Sequence, residues 1–533
     1  MNRAQAPAYV LLLLACASAP ACGLNQAGVD PLENTIAYPA SAVMDKNGDW
    51  LFVTNSNADL RYNDGTLIAL NLDRAATDRE PYVPGDNPPV TENHPDWAQC
   101  PEVNYDNPLH SQYPIYFCCG DALDPNLVNC DERGYVGPAG DKGNGTLNVR
   151  IGSFAAGMVR QDPTCAKDPN TGAVCEICQA FTPAPDDSRL LIGVRGDTSL
   201  TYVDIESQGA DNPPLMKCVG SPTVPEAPGG FVICNDAHRI ITATSGLASP
   251  QDDPNPPDIP LPDEPYALAV DDRNGLLFIG HLSGNTTRPF TGGFSLFDIS
   301  PTGAGHLDAP RFIAPFPSPF SANSVGAVGV TALNVNNGTV YASSRYVPQV
   351  AGLGTTAECA VAGDGTMPAT SIRDIAAFPN GQYYNPPLAG SETRGIQFVD
   401  GSAFVLQRSP PALVRFLPPN SPLYPGTPTD ILETCSSPTF LDKYDSGVGE
   451  RLFVTCFADG EIYVYDPALP QLVKTFPVGR GPSGLVFDNT HGRNVAYVVG
   501  FGDNNISVID LAPGSPTEYH VVQHIGFPRV TPR

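Results

Sequence analysis

A short apolar phrase recurs along the chain, each time led by a turn and followed by an alternating strand. Clear copies are GDWLFVTN with GTLIALNLD from Gly48 to Asp73, and GERLFVTCFADGEIYVYD from Gly449 to Asp466. Continuous runs such as Leu452-Phe453-Val454-Thr455 predict strands buried on both faces. Ile506-Ser507-Val508-Ile509-Asp510 alternates with period two, which predicts a sheet with one exposed side. Aspartate or asparagine with glycine between the first two strands suits a tight hairpin.

Seven units align on this phrase. The first joins 41–44, a turn at 45–48, 51–54 and 66–72; the second has 154–159, 190–194 and 200–205. The third is the most regular, with 266–270, a turn at 271–275, 276–280 and 294–299. The fourth offers 328–333 and 339–343 but no recognisable third strand. The fifth has 394–399, 403–406 and 413–416, and the sixth spans 438–466. The seventh has 483–487, 495–499 and 506–511, with 519–525 as an outer strand. Leu452 and Val495 stand 43 residues apart, Ala403 and Leu452 49, spacings that suit four strands. One such sheet cannot bury both faces alone, so copies must stack about an axis and close on themselves. The expectation is an all-β, seven-bladed β-propeller over 34–533 with Cys-rich loop insertions. Those insertions are expected at 74–145, 162–186, 208–261 and 351–391.

Composition fits that architecture and narrows the partners. Gly 51 and Pro 57 match many short strands joined by many turns, and 41% hydrophobic residues can fill a sizeable core. The 533 residues carry 56 acidic against 29 basic side chains, a formal charge of −27. No nucleic acid is expected as a partner, since phosphate backbones call for basic patches.

Residues 1–15 read as an export signal. Arg3 is the lone early charge, and Tyr9 to Leu14 form an apolar core too short to span a bilayer. Leu13-Leu14-Ala15-Cys16 resembles the bacterial lipobox, and Ala19-Pro20-Ala21-Cys22 is a second candidate. Lipidation at Cys16 or Cys22, with 16–33 as a tether, would hold the protein in a membrane through an N-terminal lipid anchor. Neither cysteine precedes aspartate, so the lipoprotein resemblance implies the outer membrane, facing the periplasm or the surface. Cleavage after Ala17 would instead release a secreted protein. Twelve cysteines follow Cys22, an even number that predicts disulfides in an exported chain. The lipobox favours Cys16 as the anchor; parity favours Cys22.

Leu51-Phe52-Val53-Thr54-Asn55 and Ile506 to Leu511 resemble the YVTN-type β-propeller repeat, which joins a Tyr-Val-Thr-Asn strand to a Val-Ile-Asp strand. Gly479 to Phe487 resembles the Val-Gly-x-x-Pro-x-Gly lead-in of that repeat. The likeness covers about half the chain, implies a seven-bladed lactonase-like propeller, and says little of activity because the fold hosts many functions.

In a propeller, loops after each second strand and before each first strand share the face that holds the channel mouth. The residues closing the second strands give an expected ring: Asn55, Arg195, His281, Ser344, Gln407, Cys456 and Gly500, with Arg345 and Arg408 beside it. Asn55, Arg195, His281, Ser344, Gln407 and Arg408 are the ligand-binding candidates. Solvated loop residues around a water-filled channel would read the same way. Cys435 precedes the first strand of the sixth unit and Cys456 closes its second, so a Cys435–Cys456 disulfide is expected.

Other chemistry is thin. Cys175 and Cys178 have redox or metal spacing, but Gln179 follows where haem attachment needs histidine. Zinc would need two more ligands, with Cys165 near and His110 distant, so disulfides are the better reading. Cys118-Cys119, flanked by Cys100 and Cys130, reads as a stapled excursion. Asp45-Lys46-Asn47-Gly48-Asp49 looks like part of a calcium loop but lacks the later glutamate, and reads as a turn. Only Trp50 and Trp97 are present, too few for quinone-cofactor docking motifs, and no Asp-box, nucleophile elbow or zinc-protease helix occurs. The expectation is a non-enzymatic, lipid-anchored binding platform with no cofactor and no metal, its partner an envelope protein or a polysaccharide. One alternative is a lactonase-like hydrolase using His281, Arg195 and Arg408. The other is a scaffold subunit of an outer-membrane assembly complex.

Overall fold

The computed structural model describes residues 31–77, 118–136, 148–162, 188–218, 232–244, 258–282, 293–299, 309–316, 329–345, 350–357, 372–377, 391–416 and 428–526, apart from 32–33, 61, 63, 121–123, 125, 209–211, 235–237, 272–274 and 337–338. Cys16, Cys22, most of the tether and the stretch 163–186 lie outside these residues.

The strands assemble into antiparallel sheets, here lettered as blades in chain order. Blade A holds Pro39–Met44, Trp50–Asn55, Thr66–Asn71 and Asn148–Arg150, with Val232–Ile233 parallel to the last. Blade B holds Ala155–Gln161, Ser188–Val194, Ser199–Glu206 and Leu215–Lys217. Blade C holds Pro265–Asp271, Leu276–His281, Phe294–Asp298 and Arg311–Phe316. Blade D holds Val330–Asn336, Thr339–Ser344, Val350–Ala357 and Ile372–Ala377. Blade E holds Ser391–Val399, Ser402–Ser409, Pro411–Phe416 and Pro428–Glu433. Blade F holds Pro438–Asp445, Glu450–Cys456, Glu461–Asp466 and Gln471–Pro477. Blade G holds Pro482–Asp488, Val495–Gly500, Asn505–Asp510 and Val521–Ile525. The first strands pack side by side in this order, and the first strand of G returns to that of A. The chain is an all-β β-propeller. A short helix, Leu72–Thr77, follows the third strand of A.

Two expected insertions turn out to hold blade strands. Residues 351–391 contain most of the third strand and all of the fourth strand of blade D. The third strand reads VAGLGTTA, rich in glycine and threonine, so no apolar alternation marked it. Residues 208–261 supply the outer strand of B and the strand added to A, closed by a Cys218–Cys234 disulfide. Residues 74–145 send a hairpin, Cys118–Gly120 with Val128–Cys130, to the outer edge of blade G, closed by a Cys118–Cys130 disulfide.

The core lies between blades, one apolar layer per seam. Leu51, Val53, Ile68 and Leu70 of A meet Tyr497, Val499, Ile506 and Val508 of G. Phe404, Leu406 and Leu413 of E meet Leu441, Leu452 and Val454 of F. Each fully buried side chain of this kind contributes roughly 1.5–3 kcal/mol of transfer free energy. The second strands are apolar along their middles because they face two seams at once. At two seams the backbones come into near contact. A Cβ on Gly157 would lie 2.7 Å from the Tyr266 carbonyl oxygen, and one on Gly395 2.6 Å from Leu441 Cβ. Alanine at either position would push neighbouring blades apart.

Every first strand carries a register shift near its start, after the first residue in six blades and after the third in blade E, for example between Pro39 and Ser41 and between Thr393 and Gly395. The residues stepped over are Ala40, Ala156, Tyr266, Thr331, Arg394, Thr439 and Ser483. A bulge re-aims a side chain, and all of these line the central channel.

Candidate functional site: the channel mouth

The channel is a cavity of about 550 Å³ framed by the first strands. The bulge residues form its mouth. Their hydroxyls mostly stitch seams: Thr331 Oγ1 donates to the Thr393 carbonyl, Thr439 Oγ1 to the Pro482 carbonyl (3.2 Å) and Ser483 Oγ to the Ala40 carbonyl (3.4 Å). Tyr266 and Arg394 instead reach over the channel, with Arg394 Nη1 donating to Tyr266 Oη at 3.3 Å. That contact links blade E to blade C across the intervening blade D.

Deeper in the channel, Asn334, Gln397 and Asp442 form a relay on adjacent first strands. Asn334 Nδ2 donates to Gln397 Oε1 (3.3 Å), and Gln397 Nε2 to Asp442 Oδ1 (2.8 Å). Asp442 has its carboxyl pushed up to about 6 by burial, against the Lys443 main-chain N–H and ammonium, which favour the charged form.

The expected ring lies one residue too deep. The strand pairing aligns Asn55, Val194, His281, Ser344, Gln407, Cys456 and Gly500 against the starts of the first strands. All are buried. Asn55 accepts from Ala37 N and donates to the Thr35 carbonyl, both at 2.9 Å, and to Thr66 Oγ1 at 2.8 Å. Gln407 Nε2 donates to the Pro410 carbonyl at 2.9 Å. Cys456 is joined to Cys435 by a disulfide with Cα atoms 5.8 Å apart. His281 shares a 2.9 Å hydrogen bond with Ser295 Oγ and is fully buried. Burial holds its pKa down at about 3, against hydrogen bonds at the Asp263 and Pro262 main chain that favour the charged form. Asn55, Gln407 and Cys456 thus tie loops to their blades.

One position further along stand Ser56, Arg195, Leu282, Arg345, Arg408, Phe457 and Phe501. Arg195 therefore belongs to this outer tier, beside Arg408. Its guanidinium pairs with Glu264 at 2.7 Å and lies 5.9 Å from the Tyr266 ring centre. Arg345, Arg394 and Arg408 gather around Glu392 at 3.4, 3.6 and 3.5 Å. Arg408 also donates to Ser437 Oγ at 2.8 Å. On blades F and G the tier is aromatic, with Phe457–Phe501 ring centres 6.0 Å apart, and Tyr38, just before blade A, adds a third ring 5.6 Å from Phe501. Glu392, Arg394, Tyr266 and this aromatic trio escaped the sequence reading. Counting one residue past each second strand would have found the outer tier.

The Asp45–Asp49 segment is a turn, with Asp45 Oδ1 accepting from Trp50 N at 3.0 Å. Asp49, Asp73 and His491 come close enough to share a cation, but Arg493 is already paired to Asp73.

No known protein family matches the chain, and no curated protein does. Among solved structures, it is similar to the β-propeller domain of Cps50 (Swd1) from Myceliophteria thermophila, at 9% identity over 90% of this chain and 98% of that one, TM-score 0.42. It is also similar to virginiamycin B lyase from Staphylococcus aureus, at 14% identity over 50% and 71%, TM-score 0.32. A third is the dihydro-heme d1 dehydrogenase NirN, at 10% identity over 76% and 61%, TM-score 0.37.

Proposed function

We propose that this protein is a binding platform of the bacterial cell envelope, lipid-anchored at Cys16 or Cys22 and presenting its channel mouth to an envelope protein or polysaccharide. The ring is read as seven-bladed, supported by the unbroken succession of first strands from A to G and back to A. One observation carries the binding reading. The outer tier displays half-exposed arginines and aromatics, whereas the ring histidine that hydrolysis would need is sealed. Rigid blades hold such a tier in place while loops vary around it.

Capture from detergent-solubilised envelopes tests this. A single envelope component should be enriched by the wild-type protein and lost with Phe457→Ser/Phe501→Ser. Capture unaffected by that pair, together with turnover in a lactone hydrolysis assay, would favour the hydrolase instead. Palmitate labelling should disappear with Cys16→Ser or with Cys22→Ser, identifying the anchor. A protein that remains unlabelled and free in the medium would end the anchoring reading.

A further inference from the structure

Within that reading of the mouth as a binding face, we infer that the arginine cluster around Glu392 is an anion site for a carboxylate- or phosphate-bearing ligand. The cluster draws on blades D and E. Arg345 directly follows the second strand of D. Arg408 sits near the end of the second strand of E, and Arg394 is the bulge residue of the first strand of E.

Charge and geometry agree. Three guanidinium groups converge on one carboxylate in a chain of net charge −27. Each of the three distances is longer than a tight charge-assisted hydrogen bond, which closes to about 2.7–2.9 Å. Elsewhere among the described residues each arginine–carboxylate contact involves fewer guanidinium groups, at distances such as 2.6 Å for Arg493–Asp488 and 3.6 Å for Arg415–Asp430. Glu392 is the anchor the three share.

Arg394 is the informative member. Its side chain is only 10% exposed, and its Nε–H is buried with no hydrogen-bond acceptor among the described residues. Buried donors are normally satisfied, and one left over in a cavity lining calls for an acceptor from outside. The planar fork of arginine suits the paired oxygens of a carboxylate or phosphate. Glu392 itself has φ +63°, a left-handed backbone that non-glycine residues adopt rarely and that gathers at ligand sites. Its N–H is fixed on the Arg345 carbonyl at 2.7 Å, which brings Arg345 into the cluster.

Titration of the purified protein with inorganic phosphate, and separately with acetate, at ionic strength held constant with sodium chloride, tests the site. At least one anion should raise the melting temperature saturably, beyond the chloride control. Arg345→Gln/Arg408→Gln should weaken that binding about tenfold or more, while Glu392→Gln, which removes the competing carboxylate, should tighten it by a similar factor. A variant that only loosens the fold cannot tighten binding, so the opposite signs separate a ligand site from a structural cluster. Absence of any saturable shift, or a Glu392→Gln protein that binds no tighter, overturns the inference. Phosphate binding without envelope capture would sink only the platform reading; capture without anion binding would sink only this one.

Discussion

The seam between blades E and F and the seam between blades G and A solve the same problem with different chemistry. E and F are neighbours in the chain, and their interface joins an apolar layer, with the glycine-sized approach at Gly395, to a few polar links such as Gln397–Asp442 and Arg408–Ser437. G and A come from opposite ends, and their interface adds a dense set of polar links. Tyr38 N donates to Asn504 Oδ1 at 2.6 Å, and His491 Nε2 is 3.0 Å from the Asn47 carbonyl oxygen. Arg493 reaches Asp488 in its own blade and Asp73 and the Gly48 carbonyl in the other. The hairpin from blade A's excursion then lies along the last strand of G, where Gln523 Nε2 donates to Tyr135 Oη at 3.2 Å. A linker already holds consecutive blades close, so packing suffices there. Closure must overcome the entropy of joining distant segments, and directional bonds select the one correct mate.

That contrast is broken most directly at Arg493. Its side chain is 6% exposed and Asp488 is fully buried. Arg493→Met leaves that carboxylate unpaired and should cost about 3–5 kcal/mol in urea denaturation. At the E–F seam, Lys443 bonds the Phe398 carbonyl and Glu450 but is 38% exposed. Lys443→Met should cost less than about 1 kcal/mol. Equal losses would mean closure relies on packing like any other seam.

The disulfides give the next contrast. Cys118–Cys130 and Cys435–Cys456 span 12 and 21 residues, so removing either should cost about 3 kcal/mol by loop entropy. Only the Cys118→Ser/Cys130→Ser pair should speed amide exchange along Gln523 to Ile525, because only that hairpin covers the last strand of G. Exchange there unchanged would show that the hairpin is an ornament on the seam.

Much of the ring was legible because second strands must be apolar on both faces. Phrases like Leu452 to Thr455 announce burial whatever their neighbours. The third strand of blade D was not legible, since the sequence of Val350–Ala357 is mostly small residues with no apolar alternation. The mouth was half legible. Strand ends were placed to within about three residues, and even a one-residue shift exchanges a buried rivet such as Gln407 for a half-exposed group such as Arg408. Arg394 and Tyr266 depend on a bulge, which changes where a side chain points without changing the sequence pattern. The closing hairpin was illegible for another reason: nothing in residues 118–130 says that their partner lies at 523–525.

A milder effect than losing Arg493 or a disulfide concerns the acid–base behaviour of the E–F seam. Asp442 holds its proton more tightly folded than unfolded, its pKa pushed from 3.8 to about 6 because ionisation inside the ring is disfavoured. The folded state therefore binds more protons between those values, and this group's contribution to stability falls as pH rises from about 4 to 6. Above pH 6 the ionised carboxylate is a standing penalty, partly relieved by Gln397 and the Lys443 main chain. Asp442→Asn keeps the acceptor oxygen and removes the charge. It should raise stability at pH 7 by about 1–2 kcal/mol, with water in the channel screening the rest. At pH 4 the two proteins should unfold alike. A variant less stable than wild type at pH 7 would mean that Lys443 and Gln397 need the negative charge, making this seam electrostatic like the closing one.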